Sequence, residues 1–116
     1  MFKFEKLAVW QNSLDFADLI YSETRSFPPD ERFALTNQIR RAATSISSNI
    51  AEGSARTDPD FAKFVGYASG SLSEVVTQSF IAGRQKFLSA ESFARISTDA
   101  DEISRMPTGL RGSLDG

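Results

Sequence analysis

Apolar residues recur every three to four positions along four segments of the chain, the spacing that gathers side chains on one flank of an α-helix. The first segment, roughly 6–26, reads Trp10, Leu14, Ala17 and Tyr21, flanked by Leu7 and Ile20. The second, roughly 30–52, reads Leu35, Ile39, Ala42, Ala43, Ile46 and Ile50. The third, roughly 58–87, reads Phe61, Phe64, Val65, Ala68, Leu72, Val75 and Val76, and the fourth, roughly 90–106, reads Phe93, Ile96, Ala100 and Ile103. No stretch alternates at period two for long enough to make a strand. The pattern predicts four amphipathic helices.

Proline and glycine fall between these segments and mark their ends. Pro29 stands where its fixed φ suits a first helical turn of the second segment. Thr57-Asp58-Pro59-Asp60 offers a capping oxygen, a first-turn proline and carboxylates facing the positive end of the third helix. Ser89 is placed to cap the fourth helix, with Glu91 in its first turn. Gly53 is expected to close the second helix as a left-handed cap. Short connections between long helices make neighbours antiparallel. The fold class is therefore all-α, an antiparallel up-down-up-down four-helix bundle forming a single domain over 1–116. Pro107 lacks a backbone donor and clashes with the preceding turn, so residues 107–116 are expected to form a kinked or frayed end.

Two polar stripes accompany the apolar ones. Arg41, Ser45, Asn49 and Glu52 lie along one flank of the second helix, and Gly70, Ser71, Glu74 and Gln78 along one flank of the third. They are either solvated faces or a partly buried network between the two helices, with Arg41 or Arg40 paired to Glu74. Small residues also recur at intervals of four, as Ala43, Ser47 and Ala51 and as Ala62, Gly66 and Gly70. Each glycine inside a helix costs about 1 kcal/mol relative to alanine, so a packing reason is expected. A tight contact between helices two and three, within one subunit or between two, would supply it.

The chain of 116 residues has 13 basic and 15 acidic side chains, a net charge of −2, and neither cysteine nor histidine. Its size corresponds to roughly 6,300 Å² of folded surface against roughly 18,600 Å² unfolded, enough for one core. Without cysteine there is no disulfide scaffold or thiol chemistry, and without histidine no Ser-His-Asp triad. No glycine-rich phosphate loop follows a strand, and no carboxylate-histidine metal spacing occurs. We assign no catalytic, cofactor or metal residues and expect a cytoplasmic protein that does not enter the membrane. Arg32, Arg40, Arg41, Arg56 and Lys63 form the one basic concentration. They serve either as phosphate contacts or as partners for the acidic residues interspersed among them. Phe2, Phe4 and Trp10 make an apolar patch at the N-terminus unless covered, as core or as an oligomer interface.

The run Gln38-Ile39-Arg40-Arg41-Ala42-Ala43-Thr44-Ser45-Ile46 continues to Asn49-Ile50-Ala51-Glu52-Gly53. With Leu7-Ala8-Val9-Trp10-Gln11 before it and Gly70-Ser71-Leu72-Ser73-Glu74 after it, it resembles a bacterial four-helix bundle family. That family includes proteins encoded in intervening sequences of 23S rRNA genes and the accessory variability determinant protein of diversity-generating retroelements. The resemblance implies an antiparallel bundle assembled as a ring-like homopentamer. For the retroelement members it implies binding to a reverse transcriptase and its RNA through a basic surface. The expected role is that of a non-enzymatic, self-associating interaction scaffold; the alternative is a nucleic-acid-binding accessory protein.

Overall fold

The computed structural model describes residues 1–115, with side chains described through Met106. A 3-10 turn over Lys3–Lys6 leads into α1 (Ala8–Thr24); a second over Pro29–Glu31 precedes α2 (Leu35–Ser54), α3 (Asp58–Arg84) and α4 (Ala90–Asp115). The described residues contain no strand. At a rise of 1.5 Å per residue α3 alone is roughly 40 Å long. The molecule measures 43 × 22 × 20 Å, one helix long and two helices wide. The chain is an all-helical four-helix bundle, as the periodicity predicts. The expected kink or fray over 107–116 lies outside the residues whose side chains are described.

The second, third and fourth apolar stripes fold inward as read. Ile39, Ala43, Ile46 and Ile50 of α2 meet Val65, Ala68, Leu72 and Val75 of α3, and Ile96, Ala100 and Ile103 of α4 close the core. The stripe on α1 is rotated from its expected position. Its buried face is Val9, Ser13, Phe16, Ala17, Ile20 and Thr24, while Leu14 is 40% and Tyr21 41% exposed. Two hydroxyls inside this face explain the difference. Ser13 donates to the Val9 carbonyl at 2.6 Å and Thr24 to the Ile20 carbonyl at 2.7 Å, so each is satisfied within its own helix and buries at little cost. Helical hydroxyls that bond backwards in this way behave as small apolar residues, which a hydrophobicity pattern does not register.

The punctuation holds at α4, holds in part at α3 and fails at both ends of α2. Asp58, Pro59 and Asp60 stand in the first turn of α3, but the Thr57 side chain makes no capping hydrogen bond. The Ser92 amide donates to Ser89 Oγ at 3.1 Å, capping α4 as expected. Pro29 opens the 3-10 turn rather than α2, which begins at Leu35. Gly53 does not adopt a left-handed cap; no glycine of the described backbone has positive φ. Gly53 is instead a point of close approach between α2 and α3. A Cβ placed there would stand 2.6 Å from Phe64 Cβ and 2.9 Å from Phe61 Cδ1. The left-handed residue is Lys86, at φ 65°. It ends α3, and beyond it the Phe87 amide turns back to the Ala82 carbonyl at 2.8 Å.

The N-terminal residues form a hook against α1. The Phe2 amide donates to Glu5 Oε2 at 2.6 Å, and Gln11 Nε2 donates to the Glu5 carbonyl at 2.7 Å. Phe2 stacks on Phe4 with centroids 5.4 Å apart, and Phe4 leans on Trp10 at 5.0 Å. Phe4 and Trp10 are half-buried, and Phe2 remains 70% exposed.

Replacing Gly53 by alanine should destabilise the bundle by about 1–3 kcal/mol in a urea titration, because the nearest atom is a Cβ that no rotamer change can move. Lys86→Gly should stabilise it by about 0.5–1 kcal/mol by relieving a left-handed side-chain residue.

Candidate functional site

Three residue levels of α2 and α3 line a polar groove on the bundle surface. The helices run antiparallel, so each step back along α2 matches a step forward along α3. At one end Ser45 Oγ donates to Ser71 Oγ at 2.5 Å, the only side-chain hydrogen bond joining the two helices among the described residues. One turn along, Arg41 and Glu74 stand on opposite walls; beyond them come Asn37 and Gln38 facing Gln78. The groove has a volume of about 500 Å³.

The residues assigned to a polar network thus share a surface but make few bonds across it. Arg41 and Glu74 are exposed and form no ion pair with each other or with any other described residue. Arg40 turns the other way, toward α1. Its Nε donates to Thr24 Oγ1 at 2.9 Å and its guanidinium lies 4.7 Å from the centroid of the Tyr21 ring. Asn49 stays on its own helix, donating to the Ser45 carbonyl at 2.8 Å. Glu52 meets Arg56 at 2.5 Å, one turn along α2 and past its end. The hydrogen bond from Arg56 to Glu52 raises the Arg56 pKa further above its ordinary value, with desolvation opposing. Gln78 lines the groove, and its Oε1 is buried without a hydrogen-bond partner.

The five basic residues do not form one patch. Arg32 precedes α2 and Arg40 and Arg41 lie in its first turns, whereas Arg56 follows its last residue. The sixteen residues from Arg40 to Arg56 amount to roughly 24 Å at helical rise. Lys63 stands with Arg56 near the start of α3. A different basic group emerges at the other end of the bundle, where a Phe27–Phe87 ring contact of 5.7 Å brings the α1–α2 and α3–α4 connections together. Arg25, Arg32, Arg84 and Lys86 belong to this end, none paired with a described carboxylate. Phe33 beside them is 86% exposed, with the Arg32 guanidinium 5.3 Å from its centroid. Arg25 and the Arg84/Lys86 pair lie in different segments of the sequence, and the antiparallel topology places them at one end.

The paired small-residue stripes also part company. Ala43 and Ser47 are buried within the subunit, but Gly70 is exposed, Gly66 is half-buried, and a Cβ on either would meet nothing within 4 Å. The expected close contact of α2 with α3 exists within the subunit, but neither of these glycines mediates it; Gly53 does, against Phe61 and Phe64. Gly66 and Gly70 lie on the outer flank of α3 with Ser73, Thr77, Phe80 and Ile81, at helical spacings of four, three, four, three and one. Phe80 is 55% and Ile81 45% exposed.

A family model described as 23S rRNA-intervening sequence protein matches residues 5–109. The fold is similar to a solved structure from Bacteroides thetaiotaomicron VPI-5482, described as a protein with unknown function from the S23 ribosomal protein family. The two share 24% identity with a TM-score of 0.82, over 90% of this chain and 98% of that one. No curated protein matches the chain.

Because neither Asn49 nor Glu74 bonds to a facing helix, Asn49→Leu and Glu74→Leu should each change stability by less than about 0.5 kcal/mol in denaturant titrations. A loss of several times that from either would restore a tightly coupled network.

Proposed function

The chain belongs to the 23S rRNA-intervening sequence protein family, and from that premise we propose that it is a non-enzymatic bundle that self-associates through the outer flank of α3 and acts as an interaction scaffold. The supporting observation is the open space over Gly66 and Gly70. Two glycines inside a 27-residue helix forgo about 2 kcal/mol of helix propensity, and nothing within the subunit uses the room they leave. A helix of a second copy could approach the backbone there, with Phe80 and Ile81 covered at the end of the same flank. The stoichiometry we propose is the ring-like homopentamer that the sequence resemblance implies. In this reading the groove residues Arg41, Ser45, Ser71 and Glu74, with Asn49 and Glu52 further along α2, flank the contact.

A second reading rests on a separate observation, the basic end with its exposed Phe33. Unpaired arginines beside an exposed ring suit a single-stranded nucleic acid, whose phosphates take the cations and whose bases stack. In that reading the protein is an accessory factor for RNA, comparable to the retroelement members that also bind a reverse transcriptase. Arg32 and Arg40 would then act with Arg25, Arg84 and Lys86 rather than with Arg56 and Lys63.

Sedimentation velocity tests the first reading. The protein should run as an oligomer at micromolar concentration, and Gly70→Leu should leave a monomer of unchanged helicity, since leucine is the better helix former. A wild-type monomer would end the assembly proposal. For the second, a short unstructured RNA should bind most tightly at low salt and weaken steeply as salt rises, with Arg32→Ala and Phe33→Ala reducing affinity. Absence of binding at low salt rejects it, because the electrostatic contribution is largest there.

A further inference from the structure

α1 carries a second apolar row that its own subunit does not bury. Leu7, Trp10, Leu14 and Tyr21 follow one another at three, four and seven residues, on a different flank from the buried face that runs from Val9 to Thr24. Leu7 and Trp10 are partly covered by the core, whereas Leu14 and Tyr21 are exposed. Tyr21 holds the guanidinium of Arg40 from α2, which puts this row on the α1–α2 face of the bundle. The outer flank of α3 belongs to the opposite face. There Phe80 meets Phe93 of α4 at 4.8 Å, and Ser73 and Thr77 line the α3–α4 groove. α1 and α3 each pack on α2 and α4 but, among the described residues, not on each other, so they occupy diagonal corners.

The two rows match in height and in size. The Arg40–Thr24 and Ser45–Ser71 hydrogen bonds fix how α1, α2 and α3 are staggered. Leu14 lies ten residues before Thr24, level with Ile50 of α2; Ile50 lies five beyond Ser45, level with Gly66 of α3. By the same count Tyr21 is level with Ser73, each match holding to within about one helical turn. The two exposed members of the α1 row thus stand at the heights where the α3 flank has its smallest side chains. In a cyclic assembly whose axis runs along the bundle, every copy points the same way, and features at one height on opposite faces meet. Leu14 then enters the open space over Gly66, and Tyr21 lies beside Gly70 and Ser73. A parallel twofold contact of α3 with α3 would instead set glycine against glycine and leave the α1 row uncovered.

We propose that the Leu14–Tyr21 row of one copy packs on the Gly66–Gly70 flank of the next, a heterologous contact in which each copy fills one face and offers the other. The inference rests on the self-association read from the α3 flank and supplies the partner surface for it.

Sedimentation velocity of the full chain and of mixed variants tests the pairing. Leu14→Lys should run as a monomer at a micromolar concentration where the wild type assembles, with unchanged circular dichroism because the position is exposed. Tyr21→Lys gives the same reading should Leu14→Lys lose helicity. Gly70→Leu alone should also be a monomer. A one-to-one mixture of Leu14→Lys and Gly70→Leu should form a dimer and nothing larger. The Gly70→Leu copy still offers its α1 row and the Leu14→Lys copy its α3 flank, and the two faces left over are spoiled. The pairing is overturned if the α1 variants assemble like the wild type or if the mixture stays monomeric. In the first case a monomeric Gly70→Leu leaves association through the α3 flank standing, whereas a monomeric wild type removes both.

Discussion

The bundle depends on how closely α2 and α3 can run together. α2 buries Ile39, Ala43, Ile46 and Ile50 at or near zero exposure, and α3 answers with Val65, Ala68 and Val75. That contact persists to the end of α2 because Gly53 has no side chain to hold the Phe61 and Phe64 rings away. On the solvent side of the same pair a polar groove lies between Asn37, Gln38, Arg41 and Ser45 of α2 and Ser71, Glu74 and Gln78 of α3. The placement of the surface features follows. α1 and α4 pack on the central pair from behind, and the outer flank of α3 and the α2–α3 groove are left to solvent.

Much of this was legible in the sequence, because in three helices the large apolar residues and the buried residues are the same. It was not legible in α1, where Ser13 and Thr24 are buried and Leu14 and Tyr21 are not. A hydroxyl that bonds back to its own helix changes class on folding, and no composition-based pattern carries that information. The glycines show a related ambiguity. Gly53, Gly66 and Gly70 look alike in the sequence, yet the first is a point of close approach and a Cβ on either of the others would meet nothing within 4 Å. Whether a missing side chain makes room for a neighbour depends on rotation about the helix axis by a fraction of a turn. Lys86 gave no signal either, since a left-handed residue is anticipated only where glycine or asparagine stands.

The candidate site was legible as a set of neighbours and not as a set of bonds. Spacing placed Arg41, Ser45, Ser71 and Glu74 on facing flanks, and they do share one groove. Which of them touch is decided by side-chain reach and by competing partners. Thr24 and Tyr21 of α1 take Arg40, and the Ser45 carbonyl takes the Asn49 amide. The basic residues illustrate the opposite limit. Proximity along the chain grouped Arg40 with Arg56, which a rigid helix holds apart, while the topology brings Arg25 to the end that holds Arg84 and Lys86.

The N-terminal hook has an optical consequence. Trp10 is the one tryptophan of the chain, and Phe4 lies against it at 5.0 Å. Its indole is half-buried, packed partly by the core and partly by residues that precede the first helix. Intrinsic fluorescence excited at the indole therefore comes from a single seam where the hook meets the bundle. If the hook lifts while the helices stay packed, the emission colour will change without loss of circular dichroism, giving the molecule a built-in dye for the state of its own leading edge.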